Sequence, residues 1–224
     1  STLFGSGYLD HAEAEIRDFL GDITRVLFVP FALSDRNTYA ASAAERFKKM
    51  GYGMTSVHNA TDPVQAVADT EAVFIGGGNT FRLLKTLYDQ SLLDPIRQRV
   101  AEGMPYIGSS AGSNVAGPTI KTTNDMPIVQ PPSFEALRLV SFQINPHYLD
   151  ADPNSKHMGE TREERLREYL EENEVPVIGL REGGWLHLDG TALRLEGSAP
   201  ARIFRQGVDP REVAPGSALD ELMT

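Results

Sequence analysis

The sequence predicts an α/β fold, a mostly parallel sheet flanked by helices, with a β-hairpin towards the C-terminus. Three observations carry this expectation. Short apolar, β-rich runs alternate with stretches of helical character. Several runs end in a junction that opens a helix, such as Asp62-Pro63 or Gly76-Gly77-Gly78-Asn79. Two later runs flank Asp189-Gly190, a strong hairpin turn. With 224 residues and no repeat or linker, a single domain over residues 1–224 is expected.

The elements follow in order. The chain opens on turn-like residues and enters a helix near Tyr8. No strand precedes that helix, so either a first strand lies before Ser1 or the sheet begins at Arg25. Arg25 to Phe31 reads as a buried strand, followed by a helix from about Asn37 to Met50. Met54 to Val57 is a short strand, and a helix starts at Pro63 with Asp62 as its cap. Ala72 to Ile75 is the next strand, with helices over Thr80 to Tyr88 and Asp94 to Glu102. Met104 to Ile107 is a strand leading into the turn Gly108-Ser109-Ser110-Ala111-Gly112 and a short helical segment, Ala111 to Ala116.

The second half is less regular. Thr119 to Pro132, rich in Thr and Pro, reads as an extended surface loop. Strands are expected over Val140 to Asn145 and Val175 to Leu180, with a strongly charged helix between them over Thr161 to Asn173. Trp185 to Leu188 and Ala192 to Leu195 form the hairpin, and the tail beyond Gly207 reads as turn-rich.

Composition narrows the chemistry. No apolar run reaches the roughly 18–20 residues of a membrane span, and no basic-then-apolar leader opens the chain. A cytoplasmic protein without a membrane partner is the expectation. The chain has no cysteine, which excludes disulfides, thiolate metal sites and a cysteine nucleophile. A formal net charge of −10 disfavours nucleic acid, whose binding needs clustered Lys and Arg. An acidic substrate would need a local cation to receive it.

Gly108 to Gly112 is a G-x-S-x-G pattern between an apolar strand and a helix-compatible segment. A serine at such a turn projects its hydroxyl from the carboxyl edge of the sheet. The Ala111 amide and the helix N-terminus then face an oxyanion formed there. The alternative is that Ser109 or Ser110 merely caps the helix. Gly76-Gly77-Gly78-Asn79 lacks phosphate-loop spacing; it serves close packing or supplies a second oxyanion donor.

A serine nucleophile needs a base. The five histidines are His11, His58, His147, His157 and His187. His147 leads, because it follows the strand Val140 to Asn145 and should emerge at the sheet's carboxyl edge. Glu182 after the strand Val175 to Leu180 is the candidate orienting acid. Asp125 is the alternative acid, and a turn ion pair of Glu182 with Arg181 is the bland alternative. The order Ser…His…Glu differs from the Ser…Asp/Glu…His order of α/β-hydrolases.

Six segments in register resemble the α-aspartyl dipeptidases of the S51 serine peptidase family. They are Phe74 to Phe81, Ile107 to Asn114, Pro118 to Ile128, Gln143 to His147, Gly159 to Glu163 and Ile178 to Gly183. The resemblance spans roughly residues 25–205 and implies a fold akin to class I glutamine amidotransferase domains, with serine replacing their cysteine. It implies Ser110 as nucleophile, His147 as base, Glu182 as orienting acid, and Gly78 and Ala111 amides as oxyanion donors. It further implies cleavage of dipeptides with an N-terminal aspartate, with no metal or other cofactor. Arg162 is then the candidate to clasp the aspartyl carboxylate. This chain departs from the family pattern at two positions: Ser109 replaces a bulky aromatic residue before the nucleophile, and Ser113 replaces an alanine. Two other readings stay open: a cyanophycinase-like β-aspartyl peptidase, and a non-catalytic amidotransferase-like binding domain. The expected partner is a small peptide, with a homodimer left open.

Overall fold

The computed structural model describes residue 5, residues 7–151 and residues 159–223. The chain gathers into two compact units. One is formed by Ser1–Ile120 and Asp125–Leu139, the other by Lys121–Asn124 and Val140–Thr224.

The first unit opens on a 3-10 turn over Asp10–Ala12 and α1 (Glu13–Leu20). There follow β1 (Arg25–Val29), α2 (Arg36–Lys49), β2 (Gly53–Ser56), α3 (Pro63–Ala68), β3 (Ala72–Ile75), α4 (Thr80–Asp89), α5 (Leu93–Ala101), β4 (Tyr106–Gly108) and α6 (Ala111–Ala116). The described residues before Arg25 are helix and turn, so β1 is the first described strand. The strands lie in the order β2-β1-β3-β4, and every pairing is parallel.

β1 and β3 are central and covered on both faces, which is why they read as unbroken apolar runs. Their alternate residues enter different cores. Val26, Phe28, Ala72 and Phe74 pack with Ile16 and Leu20 of α1 and Ala43 and Phe47 of α2. Leu27, Val29, Val73 and Ile75 pack with Leu83 and Leu87 of α4, Ile96 of α5 and Val115 of α6. Caps set the helix starts: the Asp35 side chain accepts from the Thr38 N–H, and the Asp62 side chain from the Gln65 N–H ahead of Pro63.

The second unit contains β5 (Gln143–Pro146), α7 (Arg162–Glu171), β6 (Val177–Leu180), β7 (Gly184–Asp189), β8 (Ala192–Gly197), β9 (Ala201–Arg205) and β10 (Val208–Val213). β5 and β6 are parallel, β9 runs antiparallel to β6, and β10 closes the edge antiparallel to β9. β7 and β8 form the expected hairpin around Asp189-Gly190. Tyr148, Leu166, Leu170, Val177 and Phe204 make the core against α7. Thr161 and Glu164 form a reciprocal capping box at the start of that helix.

The tail departs from expectation. Beyond Gly207 it forms β10, an edge strand exposed along most of its length, with only Val213 buried. A register shift between Val208 and Arg211, together with Pro210, suits an edge position. Thr119 to Pro132 has no helix or strand of its own, but Ile120 and Thr122 are buried within it. Among the described residues, no helix is long and apolar enough to cross a membrane.

Candidate active site

In the first unit the carboxyl ends of β3 and β4 lie side by side, since Ile75 pairs with Gly108. Each strand runs straight into a helix. After β4, Ser110 takes φ 54°, ψ −108° at the N-cap position of α6, and its side chain makes no capping hydrogen bond. The helix-cap reading of Ser110 is therefore set aside. A non-glycine residue in such a conformation stores roughly 1–3 kcal/mol of strain, which surrounding structure must hold.

The holding contacts are specific. The Ser109 N–H donates to Ile75 O at 3.0 Å, and the Gly112 N–H to Ser109 O at 2.9 Å. The Tyr106 hydroxyl donates to Gly112 O at 2.6 Å, and burial pushes the Tyr106 pKa far up. The Ser113 hydroxyl donates to Gly108 O at 2.8 Å. Gly112 is required by close approach, because a Cβ there would lie 2.1 Å from Ile75 O. Gly77 packs directly on the serine: a Cβ on it would come within 2.9 Å of Ser110 Cβ and 3.5 Å of Ser110 Oγ.

The loop after β3 is fixed just as closely. The Gly76 N–H donates to Val29 O and the Asn79 N–H to Ala32 O. Asn79 Oδ1 caps α4 by accepting from the Arg82 N–H, while its Nδ2 donates to Met126 O at 2.8 Å. Asp125 Oδ2 accepts from the Thr80 N–H at 2.7 Å and from the Thr80 hydroxyl at 2.6 Å. Asp125 thus sits at the N-terminus of α4, where its charge complements the helix dipole. Among the described residues, neither the Gly78 N–H nor the Ala111 N–H has a hydrogen-bond partner in the chain.

In the second unit, β5 and β6 are paired through Pro146 and Leu180, so the residues that follow them emerge at neighbouring strand ends. His147 Nδ1 lies 2.9 Å from Glu182 Oε1. His147 has φ 56° and, like Ser110, is among the five described non-glycine residues with positive φ. Arg181 does not pair with Glu182. Its guanidinium binds both Asp150 oxygens at 2.8 Å and also Glu212. That bidentate contact holds the Asp150 carboxyl below its ordinary pKa, and the two acids raise that of Arg181. Glu182 is left to the imidazole.

A polar clamp behind His147 carries no role in the sequence reading. Asn145 is buried, and its Nδ2 donates to Thr122 O at 2.7 Å and to Asn124 Oδ1 at 2.9 Å. Asn124 Nδ2 donates to Pro146 O at 2.9 Å, the peptide that leads into His147. The available signal is that Gln143 and Asn145 are polar residues inside an otherwise apolar run, which calls for buried partners.

The remaining candidates separate. His58 Nδ1 contacts Ser56 Oγ at 2.6 Å and its Nε2 contacts Asn37 Oδ1 at 2.9 Å, so both ring nitrogens are engaged. His11 lies in the N-terminal 3-10 turn, and His187 pairs across the hairpin with Arg194. His157 lies outside the described residues. Arg162 is the first residue of α7, in the second unit.

Comparison with known proteins places this arrangement. The family model for peptidase family S51 matches residues 1–196. Peptidase E of Streptomyces coelicolor is 54% identical over 223 residues, covering 100% of this chain and 92% of its own length. A Drosophila melanogaster protein named probable alpha-aspartyl dipeptidase is 46% identical, covering 100% of this chain and 94% of its own. Among solved structures, a peptidase from an acI-B1 Actinobacterium superposes with a TM-score of 0.72 at 18% identity, over 96% of this chain and 93% of that one. That structural likeness bears out the α/β fold, and the sequence matches supply the lineage. The strained serine turn beside a glycine loop, and the histidine–glutamate pair, are therefore features of a chain that belongs to peptidase family S51.

Proposed function

We propose that this chain is a serine peptidase that hydrolyses dipeptides with an N-terminal aspartate, with Ser110 as nucleophile, His147 as base and Glu182 as orienting acid. The observation that carries the reading is Ser110 itself. It is strained, does not cap its helix, and has the unpartnered Ala111 amide next in the chain. The S51 membership and the dipeptidase name of the Drosophila relative support the substrate class.

The chemistry is acyl transfer. Ser110 Oγ attacks the aspartyl carbonyl carbon while His147 accepts the hydroxyl proton, and the Gly78 and Ala111 N–H groups hold the oxyanion. The C–N bond then breaks, and the imidazolium gives its proton to the leaving amine. Water, deprotonated by His147, attacks the ester and releases aspartate and Ser110. Glu182 orients the imidazole through Nδ1 and stabilises its cation. Arg162 supplies the local cation for the substrate's side-chain carboxylate, which a chain of net charge −10 would otherwise repel. The expected setting is the cytoplasm, acting on free peptides.

The test is a hydrolysis panel of Asp-X, Glu-X, Asn-X, N-blocked Asp-X and β-Asp-Arg, with wild type and Ser110→Ala. Asp-X should be the preferred substrate and Ser110→Ala inactive on it. Failure to cleave Asp-X, or equal cleavage by the Ala variant, overturns the proposal. Preference for β-Asp-Arg moves it to the cyanophycinase-like reading.

A further inference from the structure

The glycine loop after β3 has a side chain behind it that neither the motif nor the proposed mechanism uses. Tyr39 projects from α2, and its Oη lies where a Cβ on Gly76 would stand, 2.4 Å from that position. Burial pushes the Tyr39 phenol pKa up, and the neighbouring Tyr8 hydroxyl and Gly77 backbone oppose that push. Phe28 meets the Tyr39 ring edge-on, with centroids 5.0 Å apart, which fixes the ring's tilt.

The hydroxyl is held from its other side as well. Tyr8 Oη lies 3.3 Å from Tyr39 Oη. The Tyr8 backbone is anchored by the Arg46 Nε–H, which donates to Tyr8 O at 2.7 Å, and Arg46 is itself paired with Asp10 and Glu13. A chain of contacts thus runs from Arg46 through Tyr8 and Tyr39 to the Gly76–Gly77 peptide.

What that peptide touches gives the chain its purpose. Gly77 lies against Ser110 Cβ and Oγ, and its next neighbour, Gly78, has φ 133° and an amide without a partner in the chain. The Gly76 and Asn79 amides are tied to Val29 O and Ala32 O. Between those ties, the Tyr39 oxygen packed on Gly76 is the loop's handle. Glycines lose the most freedom on being ordered, so three in succession need such a handle to present a fixed donor.

We propose that the Tyr39 hydroxyl is a positioning residue that sets the Gly76–Gly77–Gly78 backbone, and with it the direction of the Gly78 amide beside Ser110. The catalytic part of this rests on the reading of Ser110 as nucleophile; the backbone part does not. Tyr39 touches neither substrate nor nucleophile and acts only through the peptide.

Tyr39→Phe keeps the ring and removes the oxygen, and two measurements on the full chain separate the claims. Amide hydrogen exchange of Gly76 and Asn79, whose N–H groups are bonded to Val29 O and Ala32 O, reads the loop alone; it should quicken about tenfold in the variant, as a loosened loop opens those bonds more often. Steady-state kinetics on Asp-X should show kcat lowered about 10- to 100-fold with KM changed less than about threefold, the signature of a misaimed transition-state donor. Tyr8→Phe, which leaves Tyr39 in place, should move both readouts the same way by less, and serves if Tyr39→Phe folds poorly. Unchanged exchange at Gly76 and Asn79 overturns the proposal whatever the activity does. So does faster exchange with kcat unchanged, or with kcat lowered only through a raised KM. Faster exchange in a protein whose wild type never cleaves Asp-X overturns the peptidase reading and leaves the backbone role standing.

Discussion

His147 Nδ1 and Glu182 Oε1 stand 2.9 Å apart at the ends of the paired parallel strands β5 and β6, while the neighbouring Arg181 turns away to Asp150 and Glu212. The side chains of this pair are 40% and 45% exposed, so its value to stability is small. Its value lies in aiming the ring. Glu182→Gln should leave the unfolding midpoint unchanged and lower kcat/KM on Asp-X by about 10- to 100-fold. That is less than the loss at a fully buried triad acid, because water competes here. Kinetics unchanged within twofold would remove Glu182 from the proposed triad.

Asp125 tests the competing assignment. Its carboxylate is bonded to the Thr80 N–H and hydroxyl, which is the role of a helix cap. Asp125→Ala should therefore cost about 1–2 kcal/mol in urea unfolding and reduce kcat less than Glu182→Ala does. The reverse ranking would make Asp125 the acid.

The serine turn should be intolerant of a single methyl group. A Cβ at Gly112 would sit 2.1 Å from Ile75 O, whereas Gly190 at φ 59° has open space around it. Gly112→Ala should cost about 3 kcal/mol or prevent folding. Gly190→Ala should cost only about 1 kcal/mol, from its left-handed backbone. Denaturant titration of both variants checks the ranking, and equal costs would refute the packing account.

His58 gives a dependence on pH. Desolvation, and then the charge of Arg36, lowers its pKa below the ordinary 6.5. The folded state therefore binds the proton more weakly than the unfolded chain. The neutral ring's contribution is complete above 6.5 and is lost as pH falls through the depressed folded value. Unfolding free energy measured from pH 7 down to pH 5 should fall more steeply for wild type than for His58→Gln. Equal slopes would mean that neither burial nor the Arg36 charge disfavours the protonated ring.

Much of this molecule was legible because its signals are local. Ala72 to Ile75 and Ala111 to Ala116 match the observed β3 and α6 at both ends. Asp62-Pro63 marked the start of α3 because a carboxylate cap and a missing N–H both suit a first turn. β10 was not legible. An edge strand with one buried residue carries no period-two pattern, and its Pro and Gly neighbours read as turn. The Thr122–Asn124–Asn145 clamp was equally hidden, since its bonds join residues more than 20 apart in the chain.

The sequence by itself determined that Ser110 lies at a strand–helix turn, that His147 and Glu182 follow strands, and that the chain has an S51 pattern. Those are properties of short windows and their order. Only the tertiary structure decided that Glu182 faces His147 rather than Arg181, that Asp125 caps α4, and that Tyr39 backs the glycine loop. A partner choice depends on which groups remain after every neighbour has taken its own, and that competition is settled in space, not along the chain.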